Sequence, residues 1–461
     1  MAEICVRLFY RWLALPLATL GFFIGAGFSR RARLTALLHL QSLRDFSIFL
    51  IRLRDLKAQG PTLLFHAASV GEFLQANEIV RHLKLKNPKI RFALSFFSNS
   101  LHEWNSQNRS LCAFDFVFPY PWDFSIVAKK ILDNLKPEAL VFSKTDIWPE
   151  LVWQAADKDI PIFLAAATLG THSGVIQNKG VRIFYRIVFN HFAALFAVNE
   201  VVKNLLGLVV SGNTKKENIP LIEVLGDPKV DSALARKGTF VGAQNEFFNQ
   251  VHSWCKNKNP ETRIWVWGSV WPQDLELLLT PELQKETQLR KTRIVLVPHD
   301  TDSKTLRIYE NILRDKRFFN FCSLGSAKEN KNRLESAEIL IVNKSGLLAN
   351  LYGIGDFAFI GCGKGGLHNI LEAIVWGRPT FFGPTYHNAP EAQELLNRGA
   401  VESVKTSQDW DKARQLIHNF PAVARVRSQM ALSFVEQSRG ASHRTAVRLE
   451  NWLNHGNLKP T

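Results

Sequence analysis

From Pro61 onward, short runs of consecutive apolar residues alternate with longer stretches in which apolar positions recur every three or four residues. Strands covered on both faces read as continuous apolar runs and the helices that cover them read as amphipathic, so the alternation predicts a parallel sheet with crossover helices. Strands are expected at Thr62–Phe65, Ile90–Ser95, Phe114–Phe118, Ala139–Phe142, Ile162–Ala166 and Leu195–Val198. The pattern stops in a polar segment, Gly238–Lys258, and restarts with Ile264–Gly268, Ile294–Pro298, Ala337–Val342, Phe357–Gly361 and Thr380–Phe382. Helices are expected between these strands, among them Ile370–Trp376 and Glu391–Arg398, and the tail from Trp410 to Leu453 reads as helical. The α/β pattern thus runs twice, predicting two Rossmann-like domains facing a cleft, with ligands gathered at the carboxyl ends of the strands.

The amino terminus follows another rule. Trp12–Phe28 is uncharged and largely apolar, Arg7 and Arg11 precede it, and Ser29–Arg33 (SRRAR) follows. A bilayer span needs about 20 apolar residues, which this run barely approaches. A secretory signal would end in small residues where the arginines stand. The expectation is an uncleaved anchor, spanning or half-inserted, with the arginines as a cytoplasmic flank; a buried core helix is the alternative.

Charge and cysteine content narrow the picture. The 57 Lys+Arg against 41 Asp+Glu leave +16, which favours anionic partners. No zinc finger, RRM or basic-helix pattern organises these charges, so nucleic acid is not an expected partner. Cys5, Cys112, Cys255, Cys322 and Cys362 are widely spaced and odd in number, which suggests neither a metal pair nor a disulfide framework.

Several strand ends carry polar clusters. Phe359–Ala373 (FIGCGKGGLHNILEA) has four glycines and Lys364 between a strand and a helix, a composition suited to holding a phosphate on backbone amides and a helix N-terminus. It is neither a Walker loop nor a dinucleotide fingerprint. Asn369 and Glu372 should share a helix face. They could meet a ribose diol or simply cap the helix. In HAASVGE, Ser69 and Gly71 precede Glu72; Gly71 would permit a tight turn, and Glu72, with an ordinary pKa of roughly 4.3, would be an ionised base. The bland reading of Glu72 is a solvated acid in a first helical turn. Lys144 and Asp146 lie in KTDIWPE, whose Trp148–Pro149 could also plug the sheet end. Gly226–Asp231 (GDPKVD), Gly268–Asp274 (GSVWPQD, with Ser269) and Val297–Asp300 (VPHD) follow further strand candidates.

In this order the fragments resemble the bacterial transferases of 3-deoxy-D-manno-octulosonic acid (Kdo). HAASVGE is similar to HAVSVGE of that family, KTDIWPE to ETELWPN, GDPKVD to GNLKFD, GSVWPQD to its GST-starting loop, and LYGIGDFAFIGCGKGGLHNILEAIVWGRPTFFGP to its glycine-rich carboxyl block. The resemblance implies a GT-B fold with an N-terminal membrane-anchor helix. The implied domains are 1–33 (anchor and basic flank), 34–237 (acceptor domain) and 238–461 (donor domain with C-terminal helices), the tail crossing back to the first domain by analogy.

It further implies an inverting, metal-independent transfer with no cofactor, moving Kdo from CMP-Kdo to a glucosamine hydroxyl of a lipid A precursor such as lipid IVA. Glu72 matches the family's base. Pro298, His299, Ser345, Gly346, Leu347, Asn369, Ile370, Leu371 and Glu372 match its CMP-binding positions, and Ser69, Gly71, Lys144, Asp146, Gly268, Ser269 and Lys364 are expected substrate contacts. The expected partners are CMP-Kdo, the lipid acceptor and the anionic inner-membrane surface, at the cytoplasmic face. Lys144 stands where the family has Glu, Asp146 shortens a second Glu, His299 stands where many members have Arg, and Ala166–Leu169 replaces NARL. The alternatives are a GT-B lipid glycosyltransferase using another nucleotide sugar and an inactive membrane-bound relative.

Overall fold

The computed structural model describes residues 2–144, 146–170, 173–211, 219–238, 246–257, 259–324, 331–344, 346–363, 366–387 and 389–456. Two compact units emerge, Met1–Ser232 with Arg439–Thr461, and Ala233–Ser438. The division falls a few residues before the polar segment, and the last helix counts with the first unit.

The first unit contains a seven-stranded sheet of β1 (Thr62–Ala67), β2 (Arg91–Phe96), β3 (Phe116–Pro119), β4 (Ala139–Ser143), β5 (Ile162–Ala167), β6 (Ala194–Ala197) and β7 (Leu221–Val224), in the order β3-β2-β1-β4-β5-β6-β7. All its pairings are parallel. The order reverses direction between β1 and β4, where an open α/β sheet leaves a crevice at its carboxyl edge. On β1, Leu63 and Phe65 enter the core on one face of the sheet and Leu64 the core on the other, the two-residue alternation of a strand covered on both sides.

The second unit's sheet uses β8 (Arg263–Val270), β9 (Thr292–Pro298), β10 (Phe321–Ser323), β11 (Ile339–Ile341), β12 (Phe357–Ile360), β15 (Thr380–Phe382) and β16 (Val401–Ser403), in the order β10-β11-β9-β8-β12-β15-β16. Its switch point lies between β8 and β12. Trp265, Trp267 and Trp410 fill the centre of its core.

Three expectations are corrected here. Cys362–Gly363 and Gly366–Leu367 form a separate antiparallel pair, β13 and β14, so the glycine-rich segment does not open straight into a helix. The helix after it covers only Leu371–Ile374. The polar segment contains a helix, Glu246–Lys256, whose Phe248, Val251, Trp254 and Cys255 are buried at helical spacing.

The GDPKVD fragment grips the final helix, Ala441–His455. The Asp231 carboxylate accepts bonds from the amides of Gly440 and Ser442, both at 2.6 Å. Gly226 has φ +90, and a Cβ there would stand 2.8 Å from the Arg444 guanidinium and 3.1 Å from Ala441 Cβ. Arg444 Nε donates to the Leu225 carbonyl, and Arg448 pairs with Glu223 at 2.7 Å. Ala446 and Leu449 complete a core of the first sheet. All five cysteines are free, and Cys255, Cys322 and Cys362 are buried.

Among the described residues one helix, Glu3–Phe28, is long and apolar enough to cross a membrane, and the pair Ala32–Arg44 and Phe46–Ala58, bent by 70°, is so only when taken together.

Candidate active site

In the first unit, β1 ends at Ala67 and the next helix, Val70–Lys86, starts at Ser69. Glu72 is the third residue of that helix and closes a capping box. Its Oε2 accepts bonds from the amides of Ala68 (2.7 Å) and Ser69 (3.2 Å), while its own amide donates to Ser69 Oγ at 3.4 Å. Ser143, at the end of β4, donates its hydroxyl to the Glu72 carbonyl at 3.0 Å. The carboxylate is therefore held by the amides that follow β1 and the backbone of Glu72 by β4, and among the described residues Oε1 has no hydrogen bond.

Burial pushes the Glu72 carboxyl up to about 7, and the charge of Asp146 adds to the effect against the amide bonds and Lys144. The expectation of an ordinary, fully ionised acid is corrected: near neutrality Glu72 is divided between its two forms.

Gly71 has no positive φ, and a Cβ there would meet nothing nearer than Ser69 Oγ at 4.0 Å, so no turn demands glycine at this position. Ser69, Gly71 and Asp146 are exposed, and Lys144 sits at φ 63 with its amide bonded to the Ala165 carbonyl. Trp148 packs edge-on against His66 and Tyr120, which supports the plug. His66 itself is wholly buried, bonded through Nδ1 to Ser95 Oγ at 2.9 Å, and burial pushes it down to about 3, which keeps it neutral.

Sequence reasoning missed Asp123. It is fully buried and accepts bonds from the Tyr10 and Tyr120 hydroxyls and from the amides of Glu150 and Leu151 at the start of the helix Pro149–Ala156. Glu150, also fully buried, pairs with Arg11 through two bonds, one of them 2.9 Å. A lone Asp and a lone Glu far apart in the chain give no local signal of such a network.

In the second unit, β8 runs into Gly268 and Ser269, where the register against β9 shifts. A Cβ on Gly268 would lie 1.9 Å from the Tyr352 hydroxyl, and Ser269 takes φ 51. Across from it, a Cβ on Gly361 would lie 2.2 Å from the Ser269 carbonyl, and one on Gly363 2.2 Å from the Trp271 indole nitrogen. These glycines are required by close packing of the loops on one another. Asp274, the last residue of the GSVWPQD fragment, ties the loops together by accepting from the Trp271 amide (2.8 Å) and the Cys362 amide (3.4 Å).

Glu372 is buried and bonded to Asn369 Nδ2 at 3.2 Å and to Arg236 Nη1 at 2.6 Å. The predicted shared face is real, but neither side chain caps the short helix. Burial of Tyr352 and then the charge of Glu372 raise the tyrosine hydroxyl's pKa, so Glu372 lies near the same tyrosine that Gly268 abuts. Asn369 Oδ1 is buried without a partner among the described residues.

Ile370, Leu371 and Leu347 are core side chains, and Pro298 is buried at the end of β9. Gly346 turns at φ 84 in open space. His299 stacks on Trp271 with centroids 4.1 Å apart and lies 5.7 Å from His368. Both aromatic residues line one side of a cavity of about 300 Å³ that also includes Gln273, Asp300, Thr305 and Tyr309. Ser345 and Lys364 lie outside the described residues. Of the remaining positions, Gly268 and Glu372 both lie beside Tyr352, and His299 lies beside His368.

The match to known proteins agrees with this geometry. Residues 46–231 match the family described as 3-deoxy-D-manno-octulosonic-acid transferase (kdotransferase). The 3-deoxy-D-manno-octulosonic acid transferase of Haemophilus influenzae is 21% identical, with 85% of this chain and 87% of that protein covered. The enzyme of the same description from Chlamydia trachomatis serovar A is 27% identical over 79% of each chain. Among solved structures, UDP-GlcNAc 2-epimerase from Neisseria meningitidis superposes with a TM-score of 0.59 at 13% identity, covering 86% of this chain and all of that one. A glycosyltransferase from Rickettsia africae gives 0.50 at 13% identity, with 86% and 98% covered. These structures share the fold.

The chain is a glycosyltransferase of the GT-B type. More particularly, it is related to the bacterial Kdo transferases.

Proposed function

We propose that the protein transfers Kdo from CMP-Kdo to a glucosamine hydroxyl of a lipid A precursor, with inversion and without a metal, at the cytoplasmic face of the inner membrane. The observation that carries this reading is Glu72, a carboxyl at the sheet's switch point with its pKa raised to about 7 and its backbone fixed by Ser69 and Ser143. In the proposed reaction Glu72 takes the proton of the acceptor hydroxyl as that oxygen attacks the anomeric carbon of Kdo and the bond to the CMP phosphate breaks. The donor half-site at Gly268–Ser269, Pro298–His299, Ser345–Leu347 and Asn369–Glu372 would hold the nucleotide. The carboxylate of Glu372 suits a ribose diol, and the unpartnered Asn369 Oδ1 offers a further acceptor. Backbone amides, His299 and Lys364 would stabilise the leaving phosphate. Ser69, Gly71, Lys144 and Asp146 would meet the acceptor and the sugar acid. The exposed apolar surface of the N-terminal helix, together with the basic charge of the chain, supports attachment to an anionic membrane.

The direct test is Glu72→Gln, assayed with generated CMP-Kdo and lipid IVA by mass spectrometry of the acceptor. Transfer should disappear while CMP still raises the melting temperature. Simultaneous loss of CMP binding would assign Glu72 a folding role, and stabilisation by UDP in place of CMP would point to another nucleotide-sugar donor.

A further inference from the structure

The N-terminal helix is long enough to span a bilayer, yet it is fastened lengthwise to the first unit. Glu3 bonds His191 at 3.0 Å, Arg7 pairs with Asp157 at 2.9 Å, and Tyr10 donates to Asp123 at 2.9 Å. Arg11 forks onto the buried Glu150. Farther along, the Phe22 ring lies 5.1 Å from Trp122 and 5.8 Å from Phe97. From Glu3 to Phe22 an α-helix covers about 28 Å at roughly 1.5 Å per residue. Contacts at both ends of that length lay the helix along the domain. A helix leaving the domain to cross a bilayer could not keep them.

What remains outward is a broad apolar surface, with Phe9, Trp12 and Phe23 at 56%, 79% and 37% exposure flanking one continuous row. Leu13, Leu17, Leu20, Ile24 and Phe28 are 49%, 59%, 58%, 57% and 91% exposed, at the three-and-four spacing of one helix face. The chain then turns at Ser29, and the helix Arg30–Arg44 packs back against the first, with Arg33 bonded to the carbonyls of Ala26 and Gly27. The inner face of this second helix meets the same aromatic pair as Phe22, since His39 stacks 4.5 Å from Phe97 and lies 5.7 Å from Trp122. Its outer face exposes Leu34, Leu37 and Leu40. Both helices thus rest on one pair of rings, and each leaves apolar side chains exposed. Arg30, Arg33 and Arg44 at the ends of the second helix are exposed, a rim suited to lipid phosphates.

We propose that Glu3–Phe28 does not cross the membrane. It lies in the plane of the bilayer surface and, with Arg30–Arg44, forms a two-helix seat inserted into one leaflet of an anionic membrane. This rests on the membrane attachment proposed above and replaces a spanning anchor by an interfacial one. The arrangement also leaves the tip of the helical pair, with its arginines, on the cytoplasmic side, as their charge prefers.

The test uses the full chain in sealed, inverted inner-membrane vesicles and a membrane-impermeant maleimide, with labelling read peptide by peptide. Cys5 is exposed on the first helix, and Ser29→Cys places a thiol at the turn. An in-plane helix puts both on the outer, cytoplasmic side, so both label without detergent. A spanning helix separates them, and a requirement for detergent at either position overturns the proposal. As a second measurement, Leu17→Glu combined with Leu20→Glu should lower flotation with phosphatidylethanolamine–phosphatidylglycerol vesicles at least tenfold while the melting temperature in detergent is unchanged. Undiminished flotation of that variant also overturns it. Failure of the wild-type chain to float at all would instead overturn the membrane attachment itself.

Discussion

Glu72 shows how far a single residue can be read from a sequence. Its place after a strand, beside small residues and in a first helical turn, is visible in HAASVGE. Its proton affinity is not, because burial and the charge of Asp146 come from chain segments that only the fold brings near. With its pKa raised to about 7, transfer should fall about tenfold per pH unit on the acid side of neutrality. Asp146→Asn removes the second cause and should move that limb to lower pH, measurable as a shifted profile of kcat/KM. Stability has the opposite dependence. The folded pKa lies above the ordinary value, so the native state holds the proton more tightly, and the group's contribution declines as pH rises from about 4.5 to about 7.

The glycines divide in the same way. Gly71→Ala should fold normally, since its Cβ would have room, whereas Gly361→Ala drives a Cβ to 2.2 Å from a carbonyl oxygen. Overpacking of that kind costs about 1–3 kcal/mol, and a calorimetric comparison of the two variants checks it.

Among the elements, the long central strands were legible because burial on both faces makes them unbroken apolar runs. The strands missed were β7, β10 and β16, each at a sheet edge and three or four residues long, together with the two-residue β13 and β14. An edge strand has one neighbour and less to bury, so its pattern is weak. The helix Glu246–Lys256 was missed because polar residues surround the four that it buries. The glycine-rich segment hides a second cause for a related reason: Gly361 and Gly363 are demanded by the backbone of Ser269 and the indole of Trp271, both distant in sequence. The short helix Leu371–Ile374 is likewise held from outside, by Arg236 on the helix Pro228–Gly238. Arg236→Ala would leave Glu372 buried without its cation, at a cost of about 3 kcal/mol. Arg236→Lys should recover only part of this, because an ammonium lacks the planar fork. Thermal unfolding gives the stability loss, and a CMP titration of the same variants shows whether Glu372 keeps its orientation.

At the scale of the whole molecule, the two α/β patterns and the helical tail were visible from the chain alone, whereas the attachment of the last helix to Asp231 and Leu225 was not, since nothing in GDPKVD distinguishes a grip on a helix from a substrate contact. The net charge of +16 bears on membrane attachment in a way that separates two forces. Each Lys or Arg near an anionic surface contributes about 1 kcal/mol, and that contribution is screened over roughly 8 Å at physiological salt. Burial of the apolar stripe contributes about 25 cal/mol per Å² and is not screened. Binding to vesicles containing phosphatidylglycerol should therefore weaken as sodium chloride rises and then level off, and binding to pure phosphatidylcholine should sit near that level throughout. Flotation across a salt series measures both. Complete release at high salt would mean that charge alone holds the protein, and a flat response on anionic vesicles would mean that the basic surface serves some other anion, such as the phosphates of the acceptor.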